Sequence, residues 1–231
     1  MRITSLNLQG FADWDGRSPR IVDYLRGLDP DVILFQEVVF LPEVSPFSPV
    51  ELLNRELRMP VRHESVTRLQ GGRVHTVYRE GLALLSKWPV PATQTLALRR
   101  EDGDPHQRII QLADVQADDG LWPLVNVHLS VRDDFALAHL GETLQILRAK
   151  GERRVLGGDF NVDHLEQHAG LWRDATISSS VEQYRSHPST QENDDYFLVP
   201  AEFHIDRVRV SGDDLSDHEA VTVDLSRVAP R

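Results

Sequence analysis

The chain has 231 residues, 40% of them hydrophobic, and its 36 acidic and 25 basic side chains give a formal net charge of −11. It has no cysteine, which excludes disulfides and thiolate metal sites, and no apolar run approaches the ~18–20 residues that span a bilayer. A protein that binds nucleic-acid phosphates without sequence preference usually has a basic surface, so the negative net charge does not favour tight nonspecific DNA binding. The N-terminus is a predicted strand rather than a signal peptide, and we expect a cytoplasmic monomer.

Three segments of the chain are predicted to be helical. The pair Ser18–Pro19 is typical of a helix start, with an N-cap serine followed by proline at the first helical position. The pair Ser48–Pro49 repeats this signal. The segment 133–150 places leucines at three- and four-residue steps, which makes one apolar helical face, and Gly151 is expected to end it.

Short strands are predicted between and after these helices. They outnumber the helices, and several neighbours have the spacing of hairpins, a pattern that is typical of two packed mixed sheets with helices outside them. Periodicity alone leaves both α/β and α+β open. The predicted strands lie near residues 2–7, 31–36, 61–66, 81–86, 93–98, 108–115, 122–128, 153–157, 195–199, 205–210 and 219–225.

Polar side chains lie at the ends of several of these predicted strands. The first strand ends on Asn7, one apolar run ends on Glu37, and another ends on His128. Asp195 instead begins its strand, and the triplet Ser216–His218 precedes the last one. Because functional residues are often placed where a rigid scaffold gives way to loops, we expect these side chains to gather in one place.

The stretch from Gly157 to Asn161 is the most informative of these strand ends. Val155 and Leu156 are predicted to form a short buried strand that the two following glycines break. Asp159 and Asn161 follow at positions i and i+2, so in an extended chain they point to the same side. A carboxylate and an amide side by side can hold a water, a phosphate oxygen or a hard metal ion.

These motifs, in this order, resemble the endonuclease/exonuclease/phosphatase superfamily, and the resemblance covers nearly the whole chain. It implies an α/β fold of four layers, a sandwich of two packed mixed β-sheets flanked by helices, in one catalytic domain over residues 1–231. It also implies the hydrolysis of phosphoesters with the help of Mg²⁺ or Mn²⁺. The motifs are Asn7, Gln36–Glu37, Glu80–Lys87, His128, Gly158–Asn161, Asp195–Tyr196 and Ser216–His218.

Glu37 is the best candidate for a metal ligand. It ends an apolar strand, where an unpaired carboxylate is costly unless a cation lies beside it, and Mg²⁺ takes oxygen ligands. Asn7 adds an amide oxygen to the same site, and Asp217 is expected near the metal as a direct or water-mediated ligand. The alternative interpretation of Glu37 is a salt bridge at a strand end.

The resemblance implies separate catalytic roles for Asp159 and Asn161. Asp159 matches the residue that orients or deprotonates the attacking water, and Asn161 matches one that holds a phosphate oxygen. The alternative for both is a tight turn, which Asp and Asn commonly stabilise. His218 is expected to contact the scissile phosphate with Asp195 as its carboxylate partner. The neighbouring Asp194 leaves open which of the two acids faces the site.

His128 and Glu80 complete the candidate catalytic set. The resemblance implies that His128 protonates or binds the leaving group, as a histidine does in some members, and Glu80 matches the acid that partners such a histidine. The alternative for a lone histidine is an ordinary surface or core residue.

The leading hypothesis is a Mg²⁺-dependent phosphoric ester hydrolase, which could be a phosphodiesterase, a nuclease or a phosphatase. The acidic composition favours a small or lipid-like phosphoester slightly over a nucleic acid. The alternative is a non-catalytic binding domain on the same scaffold. A nuclease needs a basic, aromatic-lined groove, to which Arg99, Arg100, Arg108, Arg132, Trp14 and Trp88 could contribute.

Overall fold

The computed structural model describes residues 1–70, 78–100, 102–104, 106–173, 176–179, 184–212 and 214–228. Within these residues the chain forms two six-stranded mixed sheets, three α-helices and one short 3₁₀ helix (Leu165–His168). Every predicted strand is present, although several boundaries move. None of the described helices is long and apolar enough to cross a membrane.

The first sheet contains both the N-terminal and the C-terminal strands. Its strands are β1 (Arg2–Asn7), β2 (Val32–Phe40), β3 (Val61–Gln70), β4 (Tyr78–Ser86), β11 (Phe203–Val210) and β12 (Val221–Arg227). Their order is β11-β12-β1-β2-β4-β3. Strand β1 is parallel to β2 and antiparallel to β12, so the sheet is mixed.

The second sheet is formed by the middle of the chain. Its strands are β5 (Ala92–Ala97), β6 (Ile109–Ala117), β7 (Gly120–His128), β8 (Val155–Asp159), β9 (Thr176–Ser178) and β10 (Asp195–Pro200). Their order is β5-β6-β7-β8-β10-β9. Strands β7 and β8 are parallel, and β10 returns antiparallel to β8. The three-residue strand β9 has no counterpart in the sequence prediction.

The helices cover the outer faces of the two sheets and produce four layers. Their bounds are α1 (Trp14–Leu28), α2 (Pro49–Leu57) and α3 (Asp133–Lys150). One apolar cluster joins the first sheet to α1 and α2, a second joins the second sheet to α3, and a third, which includes Leu34 and Trp122, fills the space between the sheets. The predicted four-layer α/β sandwich is therefore confirmed.

Helix α2 begins and helix α3 ends as predicted, whereas the predicted start of α1 is wrong. The hydroxyl of Ser48 accepts the N–H of Glu51 at 3.0 Å at the start of α2, and Gly151 ends α3 with a φ of 66°. Helix α1, however, begins at Trp14, so Pro19 lies inside it. The guanidinium of Arg17, which binds backbone carbonyls around the helix start, fixes this extra turn ahead of the proline.

Gly157 and Gly158 do not break their strand, contrary to the prediction. Strand β8 runs through both glycines to Asp159 because each allows a close approach by a neighbour. A Cβ on Gly157 would lie 2.4 Å from the ring of Phe197, and one on Gly158 would lie 2.1 Å from the carbonyl oxygen of Val127. The glycines therefore keep Asp159 in the sheet, tightly packed between its neighbours.

Glu37 lies within a strand rather than at its end. Strand β2 continues to Phe40, and its pairing with β4 is irregular between Phe35 and Val38. Glu37 has a φ of 49°, a left-handed conformation that is uncommon for a residue with a side chain. A β-bulge of this kind turns a side chain away from the regular alternation, and such bulges are frequent beside active sites.

Candidate functional site

The second sheet places three of the predicted site residues side by side. Asp159, the last residue of β8, pairs in register with His128 at the end of β7 and with Asp195 at the start of β10. All three side chains are buried. The strand ends therefore gather the candidate residues, as expected from the sequence.

Asp159 lies at the centre of this arrangement. Its Oδ2 accepts a hydrogen bond from Nδ2 of Asn7 at 2.9 Å and lies 3.6 Å from Nε2 of His128 and 3.9 Å from Nε2 of His218. Burial and the nearby carboxylate of Asp195 raise the pKa of Asp159 to about 6, although His218 opposes the shift. A carboxyl group with this pKa is close to the value that suits a general base near neutral pH.

The two candidate asparagines have different partners. Asn7 belongs to the first sheet and spans the gap to Asp159, while its Oδ1 accepts the backbone N–H of Gln9 at 3.0 Å. Asn161 lies beyond the end of β8 with a φ of 50°, so it is not the extended neighbour that the i, i+2 spacing suggested. Its backbone N–H donates to Oδ1 of Asp159 at 2.9 Å, and its Nδ2 donates to the carbonyl of Leu129 at 3.1 Å. The turn interpretation therefore describes this backbone, with the Asn161 side chain anchored beside Asp159.

His218 and Asp195 form a buried pair. Nδ1 of His218 lies 2.8 Å from Oδ2 of Asp195, and the loop before β12 carries the histidine to this position. Burial alone lowers the pKa of His218, but the carboxylates of Asp195 and Asp159 raise it more, to about 11. The imidazole is therefore a cation at neutral pH. Oδ1 of Asp195 finds no hydrogen-bond donor among the described residues.

His128 and Glu80 lie next to each other, and the buried Arg108 lies beside the same carboxylate. Nδ1 of His128 is 3.9 Å from Oε1 of Glu80, and Nη1 of Arg108 is 3.7 Å from the same oxygen. The positive charge of Arg108, like that of His218, opposes the rise in the pKa of Asp159. The sequence offered Arg108 as a side chain that could contribute to the basic groove of a nuclease, and the structure places it beside Glu80 with 5% of its surface exposed.

Glu37 faces an excess of negative charge. Burial raises its pKa to about 7, and the carboxylates of Glu80, Asp217 and Asp159 add to this shift. Such a group is costly to ionise without a cation. The surrounding donors are carboxylate and amide oxygens, which are the ligands that Mg²⁺ prefers. The residues present therefore fit a hard divalent cation.

Side chains that could ligate a metal also gather around His218 and His187. Among the described residues, ligand atoms within 4.8 Å of one another occur in three sets, and Glu37 belongs to none of them. The sets are His187, Asp217 and His218; Asp159, Asp195 and His218; and His187, Glu192 and Asp194. Asp217 also accepts a hydrogen bond from the hydroxyl of Ser216 at 2.9 Å.

Two supporting contacts were not predicted from the sequence. Gln36 of the first sheet donates to Oδ1 of Asn126 in the second sheet at 2.7 Å, which fixes the two sheets next to Glu37. Arg17 donates to the carbonyls of Leu8 and Leu215 and so links the loops that follow β1 and precede Asp217. Neither contact has a local sequence signal, because each joins segments far apart in the chain.

The neighbouring acids Asp194 and Asp195 point to different histidines. Asp195 binds His218, whereas Oδ2 of Asp194 lies 3.2 Å from Nδ1 of His187. His187 was not among the site residues predicted from the sequence. The second acid in the sequence, Asp194, was the signal that could have indicated a second histidine partner.

The chain is similar to known proteins both in sequence and in fold. Residues 4–218 match the sequence model of a family described as the Endonuclease/Exonuclease/phosphatase family. No curated protein gives a significant sequence match. An endonuclease/exonuclease/phosphatase from Beutenbergia cavernae has a TM-score of 0.86 and 18% identity, over 98% of this chain and 71% of that one.

Two further solved structures have names that describe a ligand or an activity. D. rerio TDP2 complexed with a single-strand DNA product has a TM-score of 0.72 and 17% identity, over 98% of both chains. A mannosyl-6-phosphatase from Bacteroides thetaiotaomicron has a TM-score of 0.67 and 18% identity, over 98% of this chain and 99% of that one. At these identities the likeness establishes the fold.

Proposed function

This chain belongs to the Endonuclease/Exonuclease/phosphatase family, a family of phosphoester hydrolases, and we propose that it is a Mg²⁺- or Mn²⁺-dependent phosphoric ester hydrolase. The observation that carries the proposal is the position of Asp159. This buried carboxylate has a pKa raised to about 6 and lies within 3.9 Å of the ring nitrogens of two histidines from separate elements. A binding domain without catalysis would not need this arrangement.

Asp159 is proposed to orient and deprotonate the attacking water. The N–H groups of Asn7 and of the Asn161 backbone each hold one of its oxygens, so the carboxylate is fixed before substrate arrives. Asn161 also lies at the correct strand end to bind a phosphoryl oxygen: one N–H of its side-chain amide donates to the carbonyl of Leu129, and the second N–H can donate to the substrate. Fixed polar groups of this kind stabilise a transition state without reorganisation.

His218 is proposed to compensate the negative charge that develops on the phosphoryl oxygens. Its bond to Asp195 keeps the imidazole cationic and holds the ring in one orientation. His128, with Glu80 beside it, is proposed to donate a proton to the leaving group or to bind it. The two histidines thus lie on either side of Asp159 with separate tasks.

Asn7, Glu37 and Asp217 are proposed to hold the metal ion, directly or through water. When bound, a divalent cation supplies charge neutralisation at the phosphoryl group and the leaving oxygen. Glu37 contributes a carboxylate that burial and its acidic neighbours make costly to ionise alone. This donor set favours Mg²⁺ or Mn²⁺, since the chain has no cysteine ligand.

The substrate is proposed to be a small phosphoester rather than a long nucleic acid. A formal net charge of −11 opposes the accumulation of a polyanion on the surface. The groove that a nuclease would need also loses two of its candidates, because Arg108 is buried beside Glu80 and Trp88 packs against the core between the sheets. The names of the two structural neighbours include both a DNA complex and a sugar phosphatase, and both substrate classes are therefore compared in the experiment below.

A substrate panel tests this proposal. Chelator-treated protein is incubated with sugar phosphates, inositol phosphates, choline lipids, abasic DNA, single- and double-stranded DNA and RNA, with and without added Mg²⁺ or Mn²⁺. We expect hydrolysis of a small phosphoester only when the metal is present. The variant Asp159→Asn, purified in parallel, controls for a contaminating phosphatase. Full activity in metal-free buffer, or no hydrolysis of any phosphoester with either metal, would contradict the proposal.

A further inference from the structure

A second histidine–carboxylate pair lies directly beside the first. Nδ1 of His187 is 3.2 Å from Oδ2 of Asp194, and Asp194 precedes Asp195 in the chain. The proposed mechanism uses His218 and Asp195 but gives no role to His187 or Asp194. Asp194 is buried and His187 is partly exposed, so the pair reaches from the interior to the mouth of the site.

The two imidazoles are stacked. The ring centroids of His187 and His218 are 4.6 Å apart, and the planes differ by 13°. Each ring uses Nδ1 for its own carboxylate, which leaves Nε2 on the opposite edge of each ring. A nitrogen of each ring also lies within 4.8 Å of a carboxylate oxygen of Asp217, so both rings face the same part of the site.

The segment that carries His187 is firmly attached to both neighbours of the first pair. The hydroxyl of Ser186 accepts the backbone N–H groups of Asp194 and Asp195, each at 3.0 Å. The carbonyl of Ser186 accepts the N–H of Glu219, the residue after His218, at 2.7 Å. Ser186 thereby fixes the register between the two pairs, and His187 has a defined place in the site.

We propose that His187 is a second phosphoryl-contacting residue, which donates from Nε2 to a non-bridging oxygen of the substrate beside the one bound by His218. Asp194 is its positioning residue. The inference rests on the proposed function of this site. It extends that function to a substrate class, because a second hydrogen-bond donor beside His218 is of most use to a terminal phosphomonoester.

The chemistry of the two ester classes explains this preference. A phosphomonoester has three non-bridging oxygens and close to two negative charges at neutral pH, since its second pKa is about 6. A phosphodiester has two such oxygens and one charge. Two parallel donors whose rings are 4.6 Å apart can each take a different oxygen of one phosphoryl group. Hydrogen bonding by His187 should therefore strengthen the binding of a diester less than that of a monoester.

The test compares His187→Phe with wild type on para-nitrophenyl phosphate and bis(para-nitrophenyl) phosphate. Phenylalanine keeps an aromatic ring to stack on His218 and removes the donor. We expect KM for the monoester to rise by about tenfold or more, the loss typical of a charged hydrogen bond, and KM for the diester to change much less. Equal effects on both substrates, or no effect, would overturn the proposal. The matched control is His204→Phe, which removes an exposed histidine of β11 that is paired with Asp206 of the same strand at 3.0 Å.

Direct binding of inorganic phosphate separates this inference from the proposed function. Calorimetry with the metal-loaded protein should give about tenfold weaker phosphate binding for His187→Phe, whether or not turnover is measured. Asp194→Asn should weaken phosphate binding in the same direction, and the double variant should lose little more than His187→Phe alone. Unchanged phosphate affinity in His187→Phe would overturn the assignment. Phosphate binding with no hydrolysis of any ester by wild type would instead reject the proposed function.

Discussion

Nδ1 of His218 lies 2.8 Å from Oδ2 of Asp195, and this contact joins the loop before β12 in one sheet to the first residue of β10 in the other. If the pair acts as a unit, removing either member should disable the same step. We expect the losses in kcat for His218→Ala and Asp195→Ala to be large and the double variant to be little worse than either. Losses that multiply would contradict the pair.

The control for this double-mutant cycle is an exposed histidine–aspartate pair on β11. His204 and Asp206 lie 3.0 Å apart and far more open to solvent. His204→Ala and Asp206→Ala should leave kcat unchanged, because exposed ion pairs contribute little. Unfolding midpoints measured for every variant separate a loss of stability from a loss of turnover per folded molecule.

The raised pKa of His218 predicts how the stability of the metal-free protein depends on pH. The pKa of about 11 in the folded state lies above the ordinary 6.5, so the native state keeps a proton that the unfolded state releases. The stabilisation is fully present below pH 6.5 and is lost as pH rises through 11. Between about pH 7.5 and 9.5, the free energy of unfolding of wild type should fall relative to His218→Gln by up to about 1.4 kcal/mol per pH unit. Denaturant titrations of both proteins measure this difference, and parallel pH profiles would contradict the charged pair.

The hydrogen bond from Asn7 to Asp159 predicts a loss of activity without a large loss of stability. Asn7→Ala frees one oxygen of the carboxylate, so kcat should fall by about tenfold to a hundredfold, and less than multiplicatively when Asp159→Asn is also present. Asn54→Ala is the matched control, since Asn54 holds Met59 at the end of α2 through two hydrogen bonds. That variant should lose stability and keep its turnover per folded molecule. The reverse pattern would show that Asn7 is only structural.

Removing the charge of Glu37 should weaken metal binding and keep the fold. Glu37→Gln preserves the volume of the side chain but removes a carboxylate ligand, so the dissociation constant for Mg²⁺ should rise by about tenfold or more. Calorimetric titration with Mg²⁺ measures this change. Glu56→Gln, which alters an exposed carboxylate on α2, is the control and should bind Mg²⁺ like wild type. Equal affinities for all three proteins would remove Glu37 from the metal site.

Much of the fold follows from local signals. Ser48, Pro49 and Gly151 define helix ends because capping depends on a few adjacent residues, and the apolar runs before Asn7 and His128 give their strands directly. The start of α1 was wrong because Arg17 takes its partners from distant loops. The glycines of β8 were misread because their role is close packing against Val127 and Phe197, which no local pattern reveals.

The candidate site also contains some residues that a local sequence signal predicts and others that only the tertiary structure reveals. The polar residues at strand ends were visible in the sequence, and the sheet register then brings Asp159, His128 and Asp195 together. The contributions of Arg108 and His187 depend on which strands pair and on how the loops return to the sheet. The sequence pattern therefore predicted which polar side chains the strand ends bring together, but not the residues that hold them in place.

The most direct test of the central claim is the rate of the chemical step in Asp159→Asn. Single-turnover hydrolysis is measured at saturating metal, with the enzyme in saturating excess over the substrate, and Asp118→Asn, a substitution in an exposed turn, is the control. If Asp159 activates the attacking water, the rate should fall by about 10²- to 10⁴-fold while substrate affinity and the unfolding midpoint change little. A chemical step as fast as that of wild type would show that Asp159 only supports the turn at the end of β8, and it would contradict the proposed mechanism.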